Sequence, residues 1–137
     1  MTPFEIAEHI LSQDEFSKWM GIRLIDIKEK YCLIEMPIRK EMINGLKTVH
    51  GGVTFAFADS ALAFSSNNTN EASVALNCVI NFTKAVMEGD VLRAESKLIS
   101  DTRKTGLYEI SITNQNQDLV ASFRGTVYKL GKKSTDL

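Results

Sequence analysis

Asp59 is the one charged side chain between Gly51 and Asn67, in the segment GGVTFAFADSALAFSSN. A carboxylate taken out of water is costly, and the cost appears as a raised pKa or a dedicated set of donors. A carboxylate in an apolar setting is what a general base or a nucleophile needs. The plain alternative is that Asp59 is exposed, or bonded to a partner with no chemistry. Its helical neighbours Phe55, Ala56, Leu62 and Ala63 argue against exposure. Gly51 and Gly52 open the same segment. The first turn of a helix carries N–H groups without internal partners and a partial positive charge, and glycines let a ligand come close to that backbone. Such N–H groups stabilise the oxyanion formed at a thioester carbonyl. Taken alone, a glycine pair is just a helix entry.

His50 precedes the pair and could act as a base, but a histidine at a turn more often satisfies backbone carbonyls, and that role is preferred. Asn44 could orient a water or donate to a carbonyl; as the residue before Gly45 it also reads as a turn former. Lys84, Arg103, Lys104 and Arg124 are candidates for the phosphates of a nucleotide-like ligand, although most such residues are solvated surface. No phosphate-loop, dinucleotide, zinc or triad signature is present.

Asp59 stands eight residues after Gly51, about 12 Å further along a helix. That is too far for both to touch one carbonyl. Either the helix starts after Gly52, with the glycines folded back, or the acid and the oxyanion donor come from different subunits. The second arrangement would make dimerisation obligatory for catalysis.

The elements that must position these residues are legible. Residues 3–17 read as a helix with Thr2 as cap, Pro3 in the first turn, Glu5 completing a capping box, and an apolar stripe of Ile6, Ile10 and Leu11. Residues 22–29 and 31–38 read as strands, and 39–50 as a loop turning at Asn44-Gly45. Residues 51–67 form a helix that is apolar all round and therefore buried. Residues 74–83 alternate, with Val74, Leu76, Cys78, Ile80 and Phe82 on one face and Ala75, Asn77, Val79, Asn81 and Thr83 on the other. Strands follow over 91–99, around Tyr108, Ile110 and Ile112, and over 119–130. A sheet must bury its apolar face, and the central helix is the one cover large and apolar enough. The pattern is α+β in a single domain over 1–137, and it supports a long antiparallel sheet wrapped around a buried central helix with an extra N-terminal helix, the hotdog arrangement, while leaving another α+β packing of the same elements open.

Composition narrows the function classes. With 137 residues, 44% hydrophobic, 24% charged and a net charge of −1, the chain is an ordinary globular domain with no call for nucleic acid or an anionic membrane as partner. The N-terminus lacks a basic start followed by an apolar run, and no stretch approaches a membrane span. Cys32 and Cys78 show neither metal nor disulfide spacing. The expectation is a cytoplasmic protein with reduced thiols.

Asn44-Gly45, His50-Gly51-Gly52, Phe55, Ala58-Asp59 and Asn67 resemble the signature of the phenylacetic acid degradation (PaaI) type of hotdog thioesterase. The resemblance continues through Asn81-Phe82, Gly89-Asp90, Lys104-Thr105-Gly106, Tyr108 and Phe123-Arg124-Gly125, and covers roughly residues 20–130. It implies hydrolysis of aryl-acetyl-CoA or similar acyl thioesters to the free acid and coenzyme A. Asp59 would be the catalytic carboxylate, as base or nucleophile. The Gly51 N–H would polarise the carbonyl, Asn44 would hold the carbonyl or water, and His50 would support the loop. Gly52, Lys84, Arg103, Lys104 and Thr105 would bind the substrate. The family shares its sites across a homodimer, usually paired into a homotetramer, and needs no metal or bound cofactor, since coenzyme A arrives with the substrate. Thr83-Lys84-Ala85 departs from the pattern, where relatives often have an Arg-Pro pair.

Two other readings use the same residues. A hotdog hydratase or dehydratase would pair His50 with Asp59, and ranks lower because the histidine adjoins the glycine pair in the hydrolase pattern. A non-catalytic acyl-CoA-binding oligomer would keep the apolar helix but have no need of its carboxylate.

Overall fold

The computed structural model describes residues 1–137. Thr2 caps α1 (Pro3–Gln13): its hydroxyl accepts from the Glu5 N–H, and the Glu5 carboxylate accepts from the Thr2 N–H at 2.9 Å. The helix predicted over 3–17 is broken at Asp14. Asp14 leaves helical geometry (φ −96°, ψ 87°), and its carboxylate accepts from the Ser17 N–H at 2.9 Å, starting α2 (Glu15–Met20). Asp is a strong N-cap residue, and here capping overrides continuation. Gly21, at φ 79°, ends α2 in the left-handed conformation.

β1 (Arg23–Lys28) and β2 (Tyr31–Pro37) form a hairpin. The loop that follows carries a 3₁₀ turn over Lys40–Met42 and delivers the chain to α3 (Gly51–Ser66). β3 (Ser73–Phe82), β4 (Val91–Asp101), β5 (Thr105–Thr113) and β6 (Leu119–Lys129) complete one antiparallel sheet in the order β1-β2-β4-β5-β6-β3. α3 packs on one face of this sheet, so the α+β hotdog reading holds. Phe57, Ala61 and Phe64 of α3 are fully buried against Ile34, Ile110 and Phe123 of the sheet.

Two expectations are corrected. The alternation assigned to 74–83 is broken by a bulge: pairing passes from Ala75↔Val127 to Asn77↔Thr126, leaving Leu76 unpaired. An extra residue shifts the parity of the strand. Ala75, Cys78, Ile80 and Phe82 therefore face α3, opposite Val127, Gly125, Phe123 and Ala121, whereas Val74 and Val79 lie opposite Tyr128 and Arg124 on the outer face. The central helix is also not covered all round. Gly52, Phe55 and Asp59 recur at helical spacing along a stripe that the protomer leaves exposed. Periodicity reports that a face is apolar but not which chain covers it.

Candidate active site

α3 begins at Gly51, so the glycines are its first residues and not a folded-back turn before it. His50 is the N-cap, and its Nδ1 accepts the Gly52 N–H at 2.9 Å. The histidine thus serves as an acceptor at the helix start and not as a donor to backbone carbonyls. The Gly52 N–H is thereby occupied, and a β-carbon at Gly52 would stand 3.0 Å from His50 Nδ1. The Gly51 N–H, one residue earlier, has no intramolecular acceptor. It is the free donor at the positive end of a 16-residue helix.

Asn44 is committed to its own loop. Its Oδ1 accepts from the Leu46 N–H at 2.8 Å, and its Nδ2 donates to Thr48 Oγ1 at 3.2 Å and to the Val49 carbonyl at 3.4 Å. The left-handed residue of this turn is Lys47 (φ 71°), not Gly45. Asn44 so braces the segment that leads into His50.

A cavity of about 340 Å³ opens beside Gly51, walled by Val49, Thr54, Phe82, Val86 and Val120, with Lys84 among its lining residues. Lys84 Nζ pairs with Asp118 at 2.7 Å. The Phe82 ring covers Gly51 so closely that a β-carbon there would lie 3.3 Å from its Cζ.

Asp59 stands two turns along α3. Its carboxyl is accessible at the protomer surface, which corrects the expectation that it is out of water. Leu62, Ala63, Ala75 and Val127 nonetheless share a small cavity with it, and burial against them raises its pKa above the usual carboxylate value, with Asp14 adding a second push upward. Sequence reasoning overlooked a polar chain next to it. Ser17 Oγ donates to Asp14 at 2.6 Å and shares a 2.9 Å hydrogen bond with Ser60 Oγ, tying α2 to the residue that follows Asp59. The cap spacing of Asp14 and Ser17 was the available signal.

The basic candidates do not converge within one chain. Lys84 lies by the start of β6, where the Thr83 N–H donates to the Val120 carbonyl at 2.9 Å. Arg103 and Lys104 lie by its end, where the Lys129 N–H donates to the Lys104 carbonyl at 2.8 Å. β6 therefore separates them by its length, roughly 30 Å. Thr105, in the same hairpin, closes on Thr102 through its N–H at 3.0 Å. Arg124 faces Glu109 at 3.7 Å on the sheet. No group of three or more His, Cys, Asp or Glu residues is placed to hold a metal ion, and no helix is long and apolar enough to cross a membrane.

Comparison with known proteins gives this geometry a family. Residues 46–121 match the model of the thioesterase superfamily. The acyl-coenzyme A thioesterase PaaI of Escherichia coli is 35% identical over 91% of this chain and 89% of its own length. A putative esterase of Archaeoglobus fulgidus is 32% identical over 93% of this chain and 82% of its own. Among solved structures, the E. coli PaaI protein from the phenylacetic acid degradation operon superposes with a TM-score of 0.94 at 34% identity, over 96% of this chain and 95% of that one. The phenylacetic acid degradation protein PaaI of Thermus thermophilus superposes at 0.82 with 28% identity, over 85% of this chain and 100% of that one. The chain belongs to the thioesterase superfamily, in the branch that contains PaaI.

Proposed function

We propose that the protein is an acyl-CoA thioesterase that hydrolyses aryl-acetyl-CoA or similar acyl thioesters in the cytoplasm. The observation that carries the reading is the unpartnered Gly51 N–H at the start of the helix that also bears Asp59, a carboxyl of raised pKa. The PaaI name of a relative 35% identical over nearly the whole chain supports the substrate class. In the reaction, the Gly51 N–H holds the thioester carbonyl oxygen as it gains charge. Asp59 takes the proton of the attacking water. Coenzyme A leaves as its thiolate and the acyl group as the free acid. The chemistry so written uses no metal and no bound cofactor, because coenzyme A enters and leaves with the substrate.

One helix cannot present both groups to one carbonyl, and a second copy of the chain resolves this. β3 is an edge strand with an open backbone, and it exposes Leu76 (63%), Val79 (55%) and Phe82 (56%). Asp59 lies near the start of β3, beside Ser73 and Val74, while Gly51 lies under Phe82 at its end. Two copies of β3 paired antiparallel about a two-fold axis set the start of one against the end of the other. Asp59 of one protomer then faces Gly51 of its partner, and the apolar stripe of α3 is covered. The same pairing draws the Arg103-Lys104-Thr105 hairpin of one protomer toward the Lys84 end of the other. Two such dimers make the homotetramer that the resemblance implies, and phenylacetate degradation is the corresponding pathway.

Release of free thiol from a panel of aryl-acetyl, short-chain and long-chain CoA thioesters tests the proposal. Asp59→Asn lowers the rate by about 100-fold or more, the scale of losing a general base. Thiol release that survives this substitution, or a wild type inert toward the whole panel, overturns it.

A further inference from the structure

Three threonines line the cavity beside Gly51, and only one of them has a free hydroxyl. Thr48 Oγ1 bonds the Asn44 side chain at 3.2 Å, and Thr83 Oγ1 donates to the Leu119 carbonyl at 2.7 Å. Thr54 is 1% exposed, and its Oγ1 is the one buried side-chain polar atom in the protein without a hydrogen-bond partner. A threonine inside a helix commonly turns its hydroxyl back onto a carbonyl one turn earlier; Thr54 does not. A buried hydroxyl left unpaired is destabilising, so its retention wants a partner from outside the chain.

Position defines that partner. Thr54 follows Gly51 by three residues, on the same side of α3. Helical side chains tilt toward the N-terminus, which brings the Thr54 hydroxyl back toward the level of the Gly51 N–H. A carbonyl held at Gly51 thus has its neighbouring atoms within a few bonds of Thr54. Val49, Phe82, Val86 and Val120 make the apolar part of the wall, and its other polar side chains, Thr48, Thr83 and Lys84, are paired within the chain. A wall whose one unpaired polar side chain is a hydroxyl complements a short acyl chain bearing one oxygen; the pantetheine arm, with two amides, would demand more unpaired polar partners.

Resting on the thioesterase reading above, we propose that Thr54 is a specificity-determining residue that selects acyl-CoA substrates carrying a hydroxyl or keto oxygen on the second or third acyl carbon. The hydroxyl accepts from a substrate O–H or donates to a substrate C=O. Bound to an unsubstituted chain it stays unpaired, and that difference is the discrimination.

The test compares 3-hydroxybutyryl-CoA (both enantiomers) and acetoacetyl-CoA with butyryl-CoA on the wild type, Thr54→Val and Thr54→Ser. Valine keeps the branched shape without the hydroxyl, and serine keeps the hydroxyl. The ratio of kcat/KM for the better oxygenated substrate over butyryl-CoA is expected to fall roughly tenfold in Thr54→Val, the worth of one neutral hydrogen bond. Thr54→Ser should retain the ratio. An unchanged ratio in Thr54→Val overturns the proposal. So does an equal loss on all substrates, which would put coenzyme A or the fold itself at Thr54. If the wild type releases no thiol from any of them, the thioesterase reading fails. The Thr54 proposal is then decided by calorimetric binding of the same thioesters to wild type and Thr54→Val: a selective loss for the oxygenated compounds upholds it, and no selective loss overturns it.

Discussion

The ring of Phe82 lies against Gly51, so that a β-carbon at Gly51 would stand 3.3 Å from Phe82 Cζ. The end of the edge strand thus roofs the one free N–H at the start of the central helix. The contact leaves room for backbone and little else, and it separates two properties of this position: the N–H it offers and the bulk it tolerates.

Gly51→Pro removes the N–H while keeping the helix. Proline is favoured at the first helical position, and His50 already has the extended backbone (φ −65°, ψ 131°) that a following proline requires. Thiol release from a responsive acyl-CoA should fall by about 100- to 1000-fold, the cost of losing one oxyanion donor. Gly51→Ala puts the same β-carbon against Phe82 but keeps the N–H, and should retain most of the activity. Equal losses in the two variants would assign the effect to crowding.

Sharing of the site between protomers has its own signature. Asp59→Asn and Gly51→Pro should each inactivate every site when all subunits carry them. Co-refolded in equal amounts, they form mixed dimers in which one site has an intact Asp59 and an intact Gly51. Recovery to about a quarter of wild-type activity is expected from random two-fold pairing. No recovery, in a mixture shown to exchange subunits, would place both groups of a site in one chain.

Asp59 sets two pH dependences of opposite kind. Apolar surroundings first, and Asp14 second, raise its folded-state pKa. In its proposed role as base it must be ionised, so kcat should rise with pH through a midpoint above the ordinary aspartate value. The folded state holds this proton more tightly than the unfolded chain does. The stabilisation linked to the protonated form is therefore complete below the unfolded pKa, and is lost as pH rises through the folded one. At neutral pH, Asp59→Asn should be at least as thermostable as wild type, and this advantage should shrink as the pH falls through the carboxylate range. Melting curves across that range decide the matter; a neutral-pH melting point well below wild type would contradict it.

Gly125 of β6 lies directly against Leu62 of α3. An added β-carbon would fall 2.7 Å from Leu62 Cδ2 and 3.0 Å from Phe123 Cε1, both in fully buried side chains. Gly125→Ala should destabilise the fold by about 1–3 kcal/mol, the usual cost of overpacking a core. Gly45→Ala, with nothing within 4 Å, should stay within about 0.5 kcal/mol of wild type. Denaturant unfolding measures both.

What the sequence determined by itself is what depends on neighbours along the chain. The Thr2–Glu5 capping box, the entry of α3 at Gly51, the inward run of Tyr108, Ile110 and Ile112, and the spacing of Asp59 from Gly51 all follow from local periodicity and capping chemistry. That spacing alone already required either a folded-back turn or a second subunit, and the start of α3 at Gly51 removes the first option. What only the tertiary structure decided is what depends on partners remote in sequence. The bulge at Leu76 exists in the pairing of β3 with β6, and it reversed the faces assigned to Val74 and Ala75 relative to the rest of the strand. The exposure of Asp59 follows from β3 lying at the edge of the sheet, and the roughly 30 Å between Lys84 and Arg103 from the run of β6 between them. The orphan hydroxyl of Thr54 is a matter of which groups fail to meet it. Periodicity along a chain encodes which faces are apolar, whereas the burial of a hydroxyl or a carboxylate is set by atoms that only folding brings near.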